Sequence, residues 1–492
     1  MMALIPAFGL GTASAQTLDY FKKYGPGSDN GGARSVTSTR DGNIALVSAV
    51  PAAAGGALDL YVVKTKTNGD TLWTRRIGEP DADEYAYNIT QLPNDDGFYV
   101  AGFTADTSGT TAAALLLRLG LTGNVIWKQT FPVTNASTYF TDLKVLNDGI
   151  ILCGGLGNTA NGKGDGWLVK VNNAGVKQWD KTYGGVEYDE FTQLEKLPNQ
   201  DGFMIGGSTE SYHPGTSGQS AWIVKTDYIG TEKLSKAIGT ATSVDGIAAM
   251  TTGSRLVSTG GTFGYVFVGY KNYDKDSLKS QLLFCKVDTN GNVLWDKSMY
   301  VASRFIEGFA VEEAYDGGFY IGGTVLSTVG LQMVTIKTDQ VGNTVNRVYY
   351  GANTDYVAPR SIFLDTYGNA YVAGEHFTQA QQSVAFLSRI GDINKVPTTG
   401  VEQAPKATAG VTVFPNPATN GCTVTSVAEP IRRIQIRDIT GRILQDITGS
   451  GSNTEKISLD GMPKGTVLVY VFTGRTASGE EIAPEVVKLT II

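Results

Sequence analysis

A unit of about fifty residues recurs along the first four-fifths of this chain, and that repetition constrains the fold more than any other feature. Each copy joins a turn and strand such as DGFYVAGFT (96–104) to a strand–hairpin–strand such as LLFCKVDTNGNVLWDKSMY (282–300). A basic residue followed five positions later by a glycine marks the second half. The pairs are Lys64/Gly69, Arg118/Gly123, Lys170/Gly175, Lys225/Gly230, Lys286/Gly291 and Lys337/Gly342. Successive glycines stand 54, 52, 55, 61 and 51 residues apart. A seventh copy begins at Arg389 and stops before its hairpin. A fixed period of this size means an array of small sheets rather than one large core.

One unit reads as four short antiparallel strands. AYNITQLPN (86–94) is the candidate inner strand, followed by FYVAGFT (98–104), ALLLRL (114–119), a hairpin at Thr122-Gly123-Asn124, and VIWKQTF (125–131). That is the content of one propeller blade. DG turns at Asp41-Gly42, Asp96-Gly97, Asp148-Gly149, Asp201-Gly202 and Asp316-Gly317, with weaker versions near Gly253 and Gly368, match the seven basic strands. The expectation is an all-β chain with a seven-bladed propeller over residues 16–392. DYFKKYG (19–25) looks like WDKTYG (179–184), the last strand of a unit, yet it precedes any first unit. SVAFLSRI (383–390) lacks such a partner. The N-terminal strand is therefore expected to complete the last blade and remove two exposed sheet edges. The alternative phase starts each blade with its tryptophan strand.

Composition narrows the function. A net charge of −7 and a pI near 5.1 leave no basic stripe for nucleic acid. Three cysteines, an odd number, argue against a disulfide framework, and two histidines exclude a His-rich metal site or a triad repeated per blade. Residues 1–15 read as a signal peptide truncated at its start, with Ala13-Ser14-Ala15 as the cleavage motif and no basic n-region. No other run of about 20 apolar residues is present, so no transmembrane segment is expected.

Trp73, Trp127, Trp179 and Trp295 share one position, with Leu234 and Val345 substituting; they read as wedges between blades rather than as a ligand platform. The basic array, ending at Arg389, reads as local ion pairs or solvated stems beside Asp227, Asp288 and Asp339, against the alternative of a cationic ring. Strand alternation puts the DG and NG turns on one face. The longer loops, 51–58, 208–220, 270–281 and 375–383, fall on the other, where binding usually resides.

Acidic residues precede several inner strands on that second face: Asp29, Asp83, Asp189, Asp245, Glu307 and Asp355. Tyr212, His213, Tyr270, Tyr273 and His376 accompany them. A ring of carboxylates could hold sugar hydroxyls or a structural cation such as calcium; it could equally cap backbone N–H groups. No pair stands out as acid and base, so no catalytic residue and no cofactor is assigned.

The repeat ends after SRIGDIN. Residues 393–410 form a polar, proline-containing linker, and 411–492 alternate as strands of a small, Ig-like β-sandwich. Pro415-Asn416-Pro417, IQIRDITGR with Gly441-Arg442, GMPKGTVLVYVF and the closing strand at Lys488 resemble the C-terminal sorting domain of type IX secretion in Bacteroidota. One departure is GTVLVYVF, where that family shows G-x-Y-x-V. The repeats likewise resemble uncharacterised propellers fused to such domains. The resemblance implies export across the inner membrane and passage through an outer-membrane pore, with the type IX machinery and its sortase as partners. The protein would then be released or attached to surface lipopolysaccharide. The expected function is non-catalytic binding or adhesion towards an extracellular glycan or protein. The rival is a polysaccharide-degrading hydrolase or lyase at the channel mouth.

Overall fold

The computed structural model describes residues 18–25, 31–52, 57–93, 97–106, 111–157, 163–198, 201–253, 263–274, 279–300, 305–327, 330–351, 356–365, 368–377, 383–391, 411–414, 418–426, 430–438, 443–473 and 485–491. The chain divides into two units, residues 1–396 and 397–492.

The first unit holds seven four-stranded antiparallel sheets, counted among the described residues. The first strands of the sheets are Ser35–Ser38, Ala82–Gln91, Ser137–Leu146, Asp189–Lys196, Gly246–Gly253, Ile306–Glu313 and Tyr356–Leu364. Each touches the first strand of the next sheet, and the seventh touches the first, so these seven strands are the inner wall of a closed ring. The expected closure is present. Leu18–Tyr24 pairs antiparallel with Ser383–Ile390 as the outermost strand of blade seven.

Each blade buries its second and third strands, which are apolar on both faces because a blade lies against a neighbour on either side. The fourth strands are half exposed. The tryptophans act as the expected wedges. A Cβ on the hairpin glycine of the following blade would lie 2.7 Å from the Trp73 ring at Gly123 and 2.9 Å from the Trp127 ring at Gly175. These glycines also have φ of 78° and 77°, so the hairpin needs them twice over.

Four of the seven basic positions form local ion pairs, with a different acid than expected, and Arg118, Lys225 and Lys286 donate to backbone carbonyls. Lys64, Lys170 and Lys337, all buried, reach back to Asp41, Asp148 and Asp316 in the first turn of their own blades, at 2.6, 3.0 and 2.8 Å. Asp227, Asp288 and Asp339 instead accept backbone N–H bonds within their hairpins. A cationic ring for an anionic ligand is therefore not formed by these side chains.

The second unit contains a three-stranded sheet (Val411–Phe414, Gly421–Ser426, Thr454–Ser458) and a four-stranded one (Ile443–Thr448, Arg433–Asp438, Gly465–Phe472, Glu485–Ile491). Val413, Cys422, Val424 and Ile457 of the first join Ile434, Ile436, Val467, Val469 and Leu489 of the second in one core. Lys488 lies in the closing strand, paired with Leu468. Pro415, Asn416, Pro417, Gly441 and Arg442, and the linker at 393–410, lie outside the described residues.

Ring closure is also a side-chain matter. The Tyr20 and Tyr24 hydroxyls donate to the carbonyls of Thr67 and Gly69 in blade one, and Phe21 stacks on Tyr350 and Phe386. Deleting residues 18–25 should lower the melting temperature by about 10 °C or more, because a blade loses a strand and the ring its seam. A deletion variant that melts with the parent protein would contradict this closure.

Candidate functional site

Six of the seven inner strands carry a one-residue β-bulge at one equivalent position: at Tyr87, Thr141, Thr192, Ala248, Phe309 and Arg360. Arg34 holds the matching place in blade one, just before its shorter strand, where its N–H bonds to Val47 O. A bulge turns two consecutive side chains to the same side of the strand. Both line the central channel, a cavity of about 370 Å³.

In five of the seven pairs the second residue serves the ring itself; in the other two it is Ala249 and Ala310. Ser35 Oγ accepts the backbone N–H of Ile89 in the next blade, Asp142 Oδ2 that of Leu194, Gln193 Oε1 that of Met250, and Ser361 Oγ that of Val36. Asn88 donates to Asp142 Oδ1 at 2.8 Å. Among the first residues, Thr141 and Thr192 also donate to the Phe191 and Ile247 carbonyls of the next blade, while Arg34, Tyr87, Phe309 and Arg360 bring the large side chains to the channel surface.

Deeper in the channel, towards the turn face, Lys144 meets Asp142 and Glu195 at 3.5 and 3.1 Å, with Glu312 nearby. Burial would lower the Lys144 pKa, but the two carboxylates override it and hold the ammonium charged. Burial raises Asp142 and Glu195, which Lys144 partly offsets. This is a structural cluster of one ammonium among three carboxyl groups.

At the loop-face mouth the composition changes to tyrosine, glutamate and arginine. Tyr139 and Tyr188 both donate to Glu190 Oε2 at 3.0 Å, and Ser208 donates to Oε1. Tyr270 accepts from Gln219 and senses both Glu190 and Glu307. Across the mouth Glu375 takes Arg34 on one oxygen and Arg360 on the other, each at 2.8 Å. Gly32 makes room for this: a Cβ there would sit 1.5 Å from Glu375 Cγ. The Arg360 guanidinium lies 4.8 Å over the Phe309 ring. Tyr87 senses Arg34, Arg360, Glu375 and Glu190 together, so the two sides face one another. Burial first, then the neighbouring carboxylates, pushes the Tyr270 phenol well up, which keeps it a neutral donor.

The residues expected from sequence are distributed as follows. Asp83, Asp189, Asp245 and Glu307 share the loop face, as do Tyr212, His213 and Tyr273. Three of the acids cap backbone. Asp83 accepts the N–H of Leu58 and Asp245 that of Asn272. Asp189, 1% exposed, takes the N–H groups of Gly185 and Ser211 and the hydroxyls of Thr209 and Ser211. Tyr212 is half exposed and bonds to Gly184 O, while His213 is buried against Ser220 Oγ. Tyr273 meets Tyr270 edge-on at 6.2 Å. His376 packs edge-on against Phe21 inside blade seven. Asp29 and Asp355 lie outside the described residues. Among the described residues no group of three or more His, Cys, Asp or Glu is arranged to hold a metal ion.

Arg34, Tyr87, Tyr139, Glu190, Phe309, Arg360 and Glu375 were not singled out from sequence. The signal for Arg34, Tyr87, Phe309 and Arg360 is the aligned inner-strand string: RSVT (34–37), YNIT (87–90), TDLK (141–144), TQLE (192–195), AAMT (248–251), FAVE (309–312) and RSIF (360–363); Tyr139, Glu190 and Glu375 lie outside it. An aliphatic residue holds the third place in every copy and the channel-lining first place varies.

Glu307 is buried, and desolvation raises its pKa to about 7 from an ordinary 4.5. Between those values the folded protein keeps a proton that the unfolded chain has lost. Its contribution to stability is therefore present below pH 4.5 and lost as pH rises to 7. Glu307→Gln should be stabilised relative to the parent by up to about 3 kcal/mol more at pH 8 than at pH 4.5, read from denaturant melts. A stability difference that does not change with pH would show that Glu307 ionises freely.

Residues 412–482 match the secretion system C-terminal sorting domain family. No curated protein matches the chain. Among solved structures, it is similar to a protein of unknown function from Dyadobacter fermentans, with 10% identity, TM-score 0.47, and coverage of 77% of this chain and 99% of that one. A second is the extracellular domain of a putative hybrid two-component system from B. thetaiotaomicron, at 11% identity, TM-score 0.38, and coverage of 94% and 57%. A third is the β-propeller domain of the Trilobed protease from Pyrococcus furiosus, at 8% identity, TM-score 0.41, and coverage of 76% and 99%. No helix among the described residues is long and apolar enough to cross a membrane.

Proposed function

From the premise that this is a β-propeller carrying a type IX sorting domain, and so a secreted or outer-surface protein, we propose that it binds an extracellular glycan at the channel mouth. The observation that carries this reading is the pair of tyrosine hydroxyls, Tyr139 and Tyr188, bonded to Glu190, with Tyr87 and Tyr270 within electrostatic range of it and Arg34, Arg360 and Phe309 beside Tyr87. Phenol rings offer flat apolar surface for a sugar face and hydroxyl tips for its alcohols. Glu190 already accepts hydroxyl hydrogen bonds from Tyr139 and Tyr188, so sugar hydroxyls can take the same place with little reorganisation. The acids that cap backbone support the scaffold in this reading and are not ligand groups.

Glu307 is the observation that favours a second, catalytic reading. A carboxyl with a pKa of about 7 near Tyr270 has the protonation range of a general acid. Binding is preferred because the hydrogen bonds of Glu190 go to tyrosines and leave no carboxylate pair set for acid and nucleophile.

The test is a glycan array with the parent protein, followed by titration of the bound glycan against variants. Tyr139→Phe and Tyr270→Phe should each weaken binding about tenfold, and Asn290→Ala on the opposite face should not. Release of reducing sugar, abolished in Glu307→Gln, would replace this reading with the catalytic one. A protein that captures no glycan would refute both.

A further inference from the structure

We infer that the ligand of this mouth is an acidic glycan, one carrying uronic acid carboxylates, and that Arg34 and Arg360 are the residues that recognise it. The inference rests on the glycan-binding reading and narrows it to a substrate class.

Arg34 and Arg360 come from blades one and seven, the two ends of the repeat, and meet only because the ring is closed. Both occupy the bulge position; the threonines there, Thr141 and Thr192, donate to Phe191 O and Ile247 O of the next blade, whereas both arginines pair with Glu375. Both line the channel together with Tyr87 and Phe309. Glu375 fixes them by contacts to Nη2 of Arg34 and to Nε and Nη2 of Arg360. A guanidinium has five N–H donors, so these contacts leave the Nη1 group of each for a second acceptor. Glu375 is nearly buried, while the two arginine side chains are 31% and 25% exposed. The carboxylate lies behind and the guanidinium groups stand forward.

At this side of the mouth two guanidinium groups share one carboxylate, a local excess of one positive charge, while the acidic cluster around Lys144 lies deeper in the channel. Phe309 under Arg360 holds that guanidinium flat. Planar paired donors match a planar carboxylate. On the opposite wall Glu190 and its tyrosines present acceptors and hydroxyls suited to neutral sugar alcohols. A uronic acid residue carries both features: a carboxylate at C5 and hydroxyls around the ring. With its carboxylate towards Arg34 and Arg360, its alcohols face Glu190, and the reverse orientation would set two carboxylates against each other.

The experiment compares the full-length protein against a polyuronate oligosaccharide and its carboxyl-reduced, neutral counterpart by calorimetry. The expected result is at least tenfold tighter binding of the polyuronate, weakening several-fold between about 50 and 500 mM NaCl. Arg34→Gln and Arg360→Gln should remove the preference for the acidic form. The comparison on the parent protein stands even where a variant fails to fold. Equal binding of both sugars, insensitive to salt, overturns this inference and leaves the glycan-binding reading intact. Binding of neither, with no other glycan captured, overturns both.

Discussion

A propeller blade has one edge it cannot cover with another strand: the innermost one, which faces a channel. Here that edge is satisfied hand over hand. Ser35, Asp142, Gln193 and Ser361 each extend a side-chain oxygen to a backbone N–H in the next blade. An unpaired N–H in a narrow cavity costs about 1–3 kcal/mol, so these acceptors matter at each of the four junctions that have one. The bulge makes them effective, because it aims the acceptor sideways along the ring. It also frees the preceding residue. The same backbone irregularity that holds the inner wall together produces a ring of channel-lining positions, Arg34, Tyr87, Thr141, Thr192, Ala248, Phe309 and Arg360, of which only the two threonines bond to the next inner strand.

The outer wall uses a different device. An aromatic or aliphatic side chain in the fourth strand of one blade fills the space over a hairpin glycine in the next, and buried lysines tie the third strand to the first turn. Inner hydrogen bonds at five of the junctions and outer wedges at six run from a blade to its successor. Such contacts are consistent with one another only if the last blade meets the first. Tyr20, Lys22 and Tyr24 complete the sequence there, reaching Thr67, Asp70 and Gly69.

Much of this was legible in the residues. The seven basic strands and their matching turns gave the blade count, the shared place of Trp73, Trp127, Trp179 and Trp295 gave the wedges, and the likeness of DYFKKYG to WDKTYG gave the closure. The candidate site was harder to read. Asp189 and Asp245 look like members of a carboxylate ring in a string of letters, but whether an oxygen is free depends on nearby N–H groups such as those of Gly185 and Asn272. Arg34 and Arg360 stand at opposite ends of the repeat, and Glu375, which joins them, belongs to a second strand. A bulge adds one residue to one strand, within the natural variation of spacing between units, and so leaves no periodic trace. Only alignment of all seven inner strands would have revealed the varying first position.

The central claim is that side chains of one blade satisfy the inner backbone of the next. Amide hydrogen exchange at single-residue resolution tests it most directly, comparing the parent protein with Asp142→Ala. The account predicts that the Leu194 amide, which donates to Asp142 at 3.0 Å, exchanges slowly in the parent and at least tenfold faster in the variant, while Met250, served by Gln193, changes little. Equal exchange of Leu194 in both proteins would contradict it.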